Sequence, residues 1–246
     1  MTNADLDRIE KELGITLPVV YRESMRAFPL PTLVGNSKDE LCDDAEALIQ
    51  LNRGLQKGGG FVAAWPSHWI ALAQDVDGCQ TAIDLRDHEV RVWCVNRGKL
   101  AERGLRDPFP QWFESWIRRC CVPQHKSDLS KAQCATAAGY PFVAPILPEL
   151  IKWLQDYNWP VAKVLAPFLA SIGKPVLSEV RSILLTNDDL WKYWVLTAIV
   201  RHWPSDLVAE LRSELVRLAK SPEASERSEE LDVIARELLN QAGLEP

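Results

Sequence analysis

The chain has 246 residues, 47% of them hydrophobic and 25% charged, which is the balance of a folded globular protein with room for one large domain or two ordinary ones. Its formal charge of −6 comes without a basic stripe, which weighs against direct DNA or RNA binding. No stretch reaches the ~18 consecutive apolar residues of a membrane span, and the opening MTNADLDRIEKEL has charge but no apolar run, so a cytoplasmic protein without a signal peptide is expected.

Leu6, Ile9 and Leu13 share one face of a first helix from Asp5 that stops at Gly14. Pro18 suits the first position of a second helix through Tyr21 and Met25, which Pro29 and Pro31 end. A third helix is expected from Lys38 to about Leu51, with Leu41, Ala45, Leu48 and Ile49 inward. Gly58-Gly59-Gly60 reads as a connector. Three strands follow: Trp69–Ala73 alternates through Ile70 and Leu72, Thr81–Leu85 through Ile83, and Glu89–Val95 through Val90 and Val92. The turn Asp75-Val76-Asp77-Gly78 joins the first two, with Gly78 supplying a positive φ. A helix from Pro110 to about Cys120 closes this half.

The character of the sequence changes near residue 122. We expect a domain over 1–122, a linker of small and polar residues over 123–144, and an all-helical domain over 145–246. In the latter, Leu147 to Leu154 keeps helical spacing, and a stronger pattern runs from Pro160 to Ile172, stopped by Gly173 and interrupted by Pro167. Val176–Leu184 and Trp191–Ile199 mark two more helices, the second capped by Asn187 or Asp188. Helices through Leu207–Leu218 and Leu231–Leu238 flank an acidic spacer, Ser221–Glu230. The series suggests stacked helical hairpins of HEAT type.

No catalytic constellation emerges. His68, His88, His125 and His202 are scattered without zinc-binding spacing, so no metal site is expected, and nothing implies a cofactor. The Asp75–Gly78 tetrad resembles the start of a calcium loop but lacks the remaining oxygen ligands. The glycine run opens no phosphate-cradling helix. The six cysteines, Cys42, Cys79, Cys94, Cys120, Cys121 and Cys134, show no disulfide or metal framework and read as small apolar fillers.

Two surfaces stand out for partner binding. Asp39, Glu40, Asp43, Asp44 and Glu46 gather acid on or beside the third helix, which suits a basic partner. Trp65, Trp69 and Trp93 are the second. Trp69 and Trp93 fall on the strand face opposite Ile70 and Val92, where they meet a helix or lie open at an interface.

The run Leu13-Gly14-Ile15, Leu17-Pro18 and Tyr21, with a strand near Ile70, a turn at Gly78, Asp84-Leu85 and a closing Phe113-Glu-Ser-Trp-Ile117, resembles the SUKH (Smi/Knr-like) superfamily over about the first 120 residues. The family's Asn-Gly after the aromatic is here Phe28-Pro-Leu-Pro31. The stretch Leu150–Pro160 with Asp188–Trp194 resembles an uncharacterised bacterial all-helical family, found near or fused to SUKH modules. The resemblance implies an α+β fold, an antiparallel sheet packed on helices followed by the all-α domain. It further implies a non-catalytic bacterial immunity protein of the polymorphic toxin systems, whose partner is a cognate protein toxin domain. The eukaryotic relatives imply the alternative of an intracellular scaffold or regulatory adaptor.

Overall fold

The computed structural model describes residues 1–26, 41–58, 65–96, 99–100 and 107–245. They divide into two compact units, Met1–Cys120 and Cys121–Pro246.

The first unit is α+β. Helix α1 (Asn3–Leu13) starts two residues before the expected point because Thr2 and Asp5 form a capping box, and Gly14 ends it at φ 65°. Helix α2 is Val19–Arg26. Helix α3 is Ala45–Gln56, not Lys38–Leu51: residues 41–44 are non-helical, because the Asp44 side chain accepts the Ala47 amide and caps the helix there. Gly58 has φ 74°, whereas Gly59 and Gly60 lie outside the described residues.

Strands β1 (Trp69–Gln74), β2 (Cys79–Asp84), β3 (Val92–Asn96) and β4 (Lys99–Leu100) form one antiparallel sheet in sequential order. The expected meander gains a short fourth strand. Its third strand also begins later than Glu89, since Val90 sits at φ 51° in a turn where the Asp87 carboxylate accepts the amides of Glu89 and Arg91. Gly78, at φ 80°, closes the β1–β2 turn, and the Asp75 side chain accepts from the amides of Asp77 and Cys79. Register places Ile70, Ile83 and Val92 on one sheet face and Ala71, Ala82 and Trp93 on the other. A bulge between Ala71 and Ala73 shifts the remainder of β1.

Both faces are covered. Ile70, Leu72, Ile83 and Val92 are buried on the first. On the second, Leu51 and Leu55 of α3 pack with Trp65, Trp69, Ala71, Ala82, Trp93 and Val95. Buried Asn52 ties α3 to β1: its side-chain amide donates to the carbonyls of Leu48 and Ala71, both at 2.9 Å, and its oxygen accepts the Ala71 amide at 2.8 Å. Helix α4 (Phe109–Cys121) ends the unit; its Phe109 packs edge-on against Tyr21 at 5.4 Å.

The second unit is all-helical. The segment expected as a linker contains helix α5 (Leu129–Ala138), whose Ala132, Cys134, Ala135 and Ala138 are buried, so its small residues serve close packing against a neighbouring helix. The Leu147–Leu154 pattern is not one helix but a 3-10 turn (Ala144–Ile146), helix α6 (Leu147–Leu150) and a 3-10 stretch (Ile151–Gln155), with Pro145 and Pro148 in the first two pieces.

Helix α7 (Pro160–Ile172) matches its expected bounds, with Pro160 at its start, Pro167 inside and Gly173 at φ 72° after it. It packs on α5 and on the 3-10 stretch. Helices α8 (Leu177–Leu184) and α9 (Asp189–Ala198) follow, and Asp188 caps α9 through the Trp191 amide. The expected helix through Leu207 and Leu218 is two, α10 (Ser205–Ala209) and α11 (Arg212–Lys220). The acidic spacer contains α12 (Ala224–Ser228), and α13 (Leu231–Gln241) lies against α11 and α9. No single helix among the described residues is long and apolar enough to cross a membrane.

Candidate functional site

The acidic group and the tryptophans belong to the first unit, and the fold distributes them unevenly. Asp39 and Glu40 lie outside the described residues. Asp43 is half-buried just before α3, while Asp44 and Glu46 are exposed at its start. A carboxylate in the first turn of a helix is favoured by the helix dipole, and Asp44 additionally caps the Ala47 amide at 2.9 Å. Glu46 accepts from Gln50 at 2.8 Å and pairs with Arg8 of α1. The Gln50 hydrogen bond, then Arg8, hold its carboxyl below the usual range. Acid at the start of α3 is therefore partly engaged in holding α3 to itself and to α1, and what faces solvent is the remaining hydrogen-bonding capacity of each carboxylate.

The tryptophan face meets a helix. Trp65 is 7% exposed and donates its indole N–H to the Trp69 carbonyl at 3.1 Å. It packs edge-on against Trp69, which in turn lies 5.9 Å from Trp93. Burial withdraws Trp65 from any surface that a partner can touch, because its ring fills the space between α3 and the sheet. Trp69 and Trp93 are half-buried, and the Trp93 indole nitrogen is buried. Beside Trp69, Asp84 faces His68 at 3.8 Å and Arg86 at 3.4 Å, so one end of this face is charged.

Elsewhere in the first unit, burial pushes the Tyr21 hydroxyl upward, and its oxygen has no hydrogen-bond partner among the described residues. Burial also raises the Cys79 thiol, which opposes the thiolate form that nucleophilic chemistry requires. Among the described residues no three His, Cys, Asp or Glu side chains are placed to hold a metal ion.

The second unit holds two features that the sequence reading did not single out. Glu226 of α12 is buried, and its carboxylate accepts from Lys192 at 2.7 Å, from Arg217 at 2.5 and 2.7 Å and from the Glu223 amide at 2.9 Å. Lys192, also buried, donates to Asp189 at 2.9 Å as well. The Arg217 guanidinium, with Lys192 and the Glu223 amide, holds the Glu226 carboxyl at about 2 against the opposing effect of burial. This is an interior clamp between α9, α11 and α12. Its sequence signal is Glu223 followed three residues later by Glu226, the spacing of a capping box, which the structure forms. The second feature is a shallow groove along α7, lined by Tyr157, Lys163 and His202.

Comparison with known families assigns both units. Residues 1–119 match the SMI1 / KNR4 family (SUKH-1) and residues 121–239 match a domain of unknown function (DUF5071). No curated protein matches the chain. The chain thus carries a SUKH-1 domain followed by a DUF5071 domain, as the motifs from Leu13 to Ile117 and the helical pattern after Leu150 led one to expect. The SUKH family is associated with non-catalytic immunity proteins.

Proposed function

We propose that this chain, whose first unit is an SMI1 / KNR4 (SUKH-1) domain, is an immunity protein that binds a cognate bacterial toxin domain in the cytoplasm and neutralises it by occlusion. A preformed surface covers the toxin's active site or substrate groove, so binding is itself the function and no residue performs chemistry. The observation that carries this reading is the family match across residues 1–119, the extent of the compact first unit.

The contact face would combine Asp43, Asp44 and Glu46 with the half-buried Trp69 and Trp93, with Asp39 and Glu40 adjoining in sequence. Trp65 supports the two rings from beneath. The arrangement pairs an aromatic centre that excludes water with rim charges that steer a basic toxin surface during encounter.

The test is capture of toxin domains encoded beside the gene by the tagged full chain, followed by calorimetry at two salt concentrations. Tight binding that weakens with salt supports the reading. Asp44→Asn is informative because asparagine preserves the helix cap while removing the charge. A several-fold slower association with unchanged thermal stability is expected. Absence of binding to every neighbouring product would sink the toxin reading and place the scaffold or adaptor role first.

A further inference from the structure

The groove along α7 in the second unit has a lining unlike the rest of this acidic chain. It measures about 390 Å³, and Tyr157, Lys163, Pro167, Ala170, Ala198 and His202 line it. Its charged or chargeable lining is Lys163, His202 and a phenol, and no carboxylate faces it, although the chain carries a net charge of −6. Lys163 and His202 are both exposed.

The aromatic wall is held in place. Tyr157 stacks on Trp194 at 5.2 Å, and Tyr193 packs edge-on against the same indole at 4.8 Å. Pro167 lies inside α7 one helical turn after Lys163 and is exposed, so its ring adds an apolar surface to the groove beside the lysine side chain. A second groove, of about 470 Å³, shares Ala170, Ser171 and His202 with the first and continues past Trp203 to Asp206 and Glu210. At that end Lys174 is already paired with Glu210 at 2.7 Å, whereas Lys163 makes no ion pair among the described residues.

We propose that this groove binds an extended acidic peptide segment of a partner protein. Carboxylates of the ligand lie against Lys163 and His202. Small apolar side chains pack on Pro167, Ala170 and Ala198 beside the Tyr157 ring. Asp206 at the far end repels acid and confines the ligand's carboxylates to the Lys163 end. The site is independent of the toxin-blocking reading, which rests on the other unit, and the failure of either leaves the other standing.

The test is fluorescence anisotropy on the full chain with labelled peptides of alternating Glu and Ala, Gln and Ala, or Lys and Ala. The Glu peptide is expected to saturate below about 1 mM and to weaken as salt is raised, with the Gln peptide about tenfold weaker or worse. Lys163→Glu is expected to weaken the Glu peptide at least about tenfold, whereas Lys11→Glu, the same charge change on α1, stays within about twofold. Lys163 is exposed, so its variant should melt with the wild type; if it does not fold, His202→Glu takes its place. Equal weakening by Lys163→Glu and Lys11→Glu overturns the proposal. So does equal binding of the Gln peptide, or no saturation by about 1 mM.

Discussion

Replacing Glu226 with Gln keeps the shape of the side chain at the centre of the second unit's buried cluster and removes its charge. Lys192, with only 5% of its side chain exposed, is then left with Asp189 alone, and Arg217 loses both its contacts to a carboxylate. Removing one partner of a buried ion pair costs about 3–5 kcal/mol, because the surviving charge is left uncompensated. Proton linkage gives a second figure. The carboxyl sits at about 2 in the folded protein against an ordinary 4.5, and that gap is worth about 3 kcal/mol. Since the folded value is the lower one, this stability is fully present above pH 4.5 and is lost as the pH falls toward 2. For a unit of this size each kcal/mol moves the melting temperature by about 3–5 °C, so Glu226→Gln should lower it by about 10–20 °C at pH 7. Thermal unfolding followed by circular dichroism at pH 7, 4.5 and 3.5 measures this, and the gap to wild type should narrow at the lowest pH. Glu237→Gln, which breaks the exposed Arg201–Glu237 pair, should cost less than about 1 kcal/mol. A Glu226→Gln protein melting within about 2 °C of wild type at pH 7, or a gap that does not change with pH, would refute the reasoning.

In the first unit, Asn52→Leu strips both hydrogen bonds from the buried Ala71 amide and carbonyl and should cost about 2–4 kcal/mol in urea unfolding. Trp65→Ala empties the space between α3 and the sheet; a loss of about 3–5 kcal/mol and a weaker near-ultraviolet dichroism signal are expected. Val90→Gly should stabilise by about 0.5–1 kcal/mol, because a β-branched residue at φ 51° is strained and glycine is not, and the denaturation midpoint reports the sign.

Where local chemistry decides structure, the sequence was a good guide. Gly14 and Gly173 stop helices, Gly78 turns the first hairpin, and Pro160 starts α7, because each depends on its own backbone freedom or its neighbours within a turn. Alternation located the three main strands and the face that Trp69 and Trp93 share. What alternation could not supply was the identity of the opposing layer, since Leu51 and Leu55 are distant in sequence; hence Trp65 read as a surface residue although it is buried. The start of α3 was misjudged because helical periodicity continues through Leu41, while Asp44 determines where the backbone enters the helix. Charge patterns misled most in the spacer Ser221–Glu230. A run of acid reads as solvated, yet Glu226 finds Lys192 and Arg217 only after α9, α11 and α12 pack. The α7 groove was equally hidden, Lys163 and His202 lying on separate helical segments.

The Asn52 clamp has a bearing on recognition. β1 is the outer strand of the sheet, where a partner could add a strand of its own by backbone hydrogen bonding. Along its outer margin the Trp69 carbonyl accepts from the Trp65 indole, both backbone groups of Ala71 bond to Asn52, and the Leu72 carbonyl accepts from the Cys42 amide at 3.0 Å. Those groups are engaged by the chain's own loops and α3, so strand addition at this margin is closed. A partner that meets this margin must be read through side chains, and the same plugging keeps β1 from templating aggregation between copies of the protein.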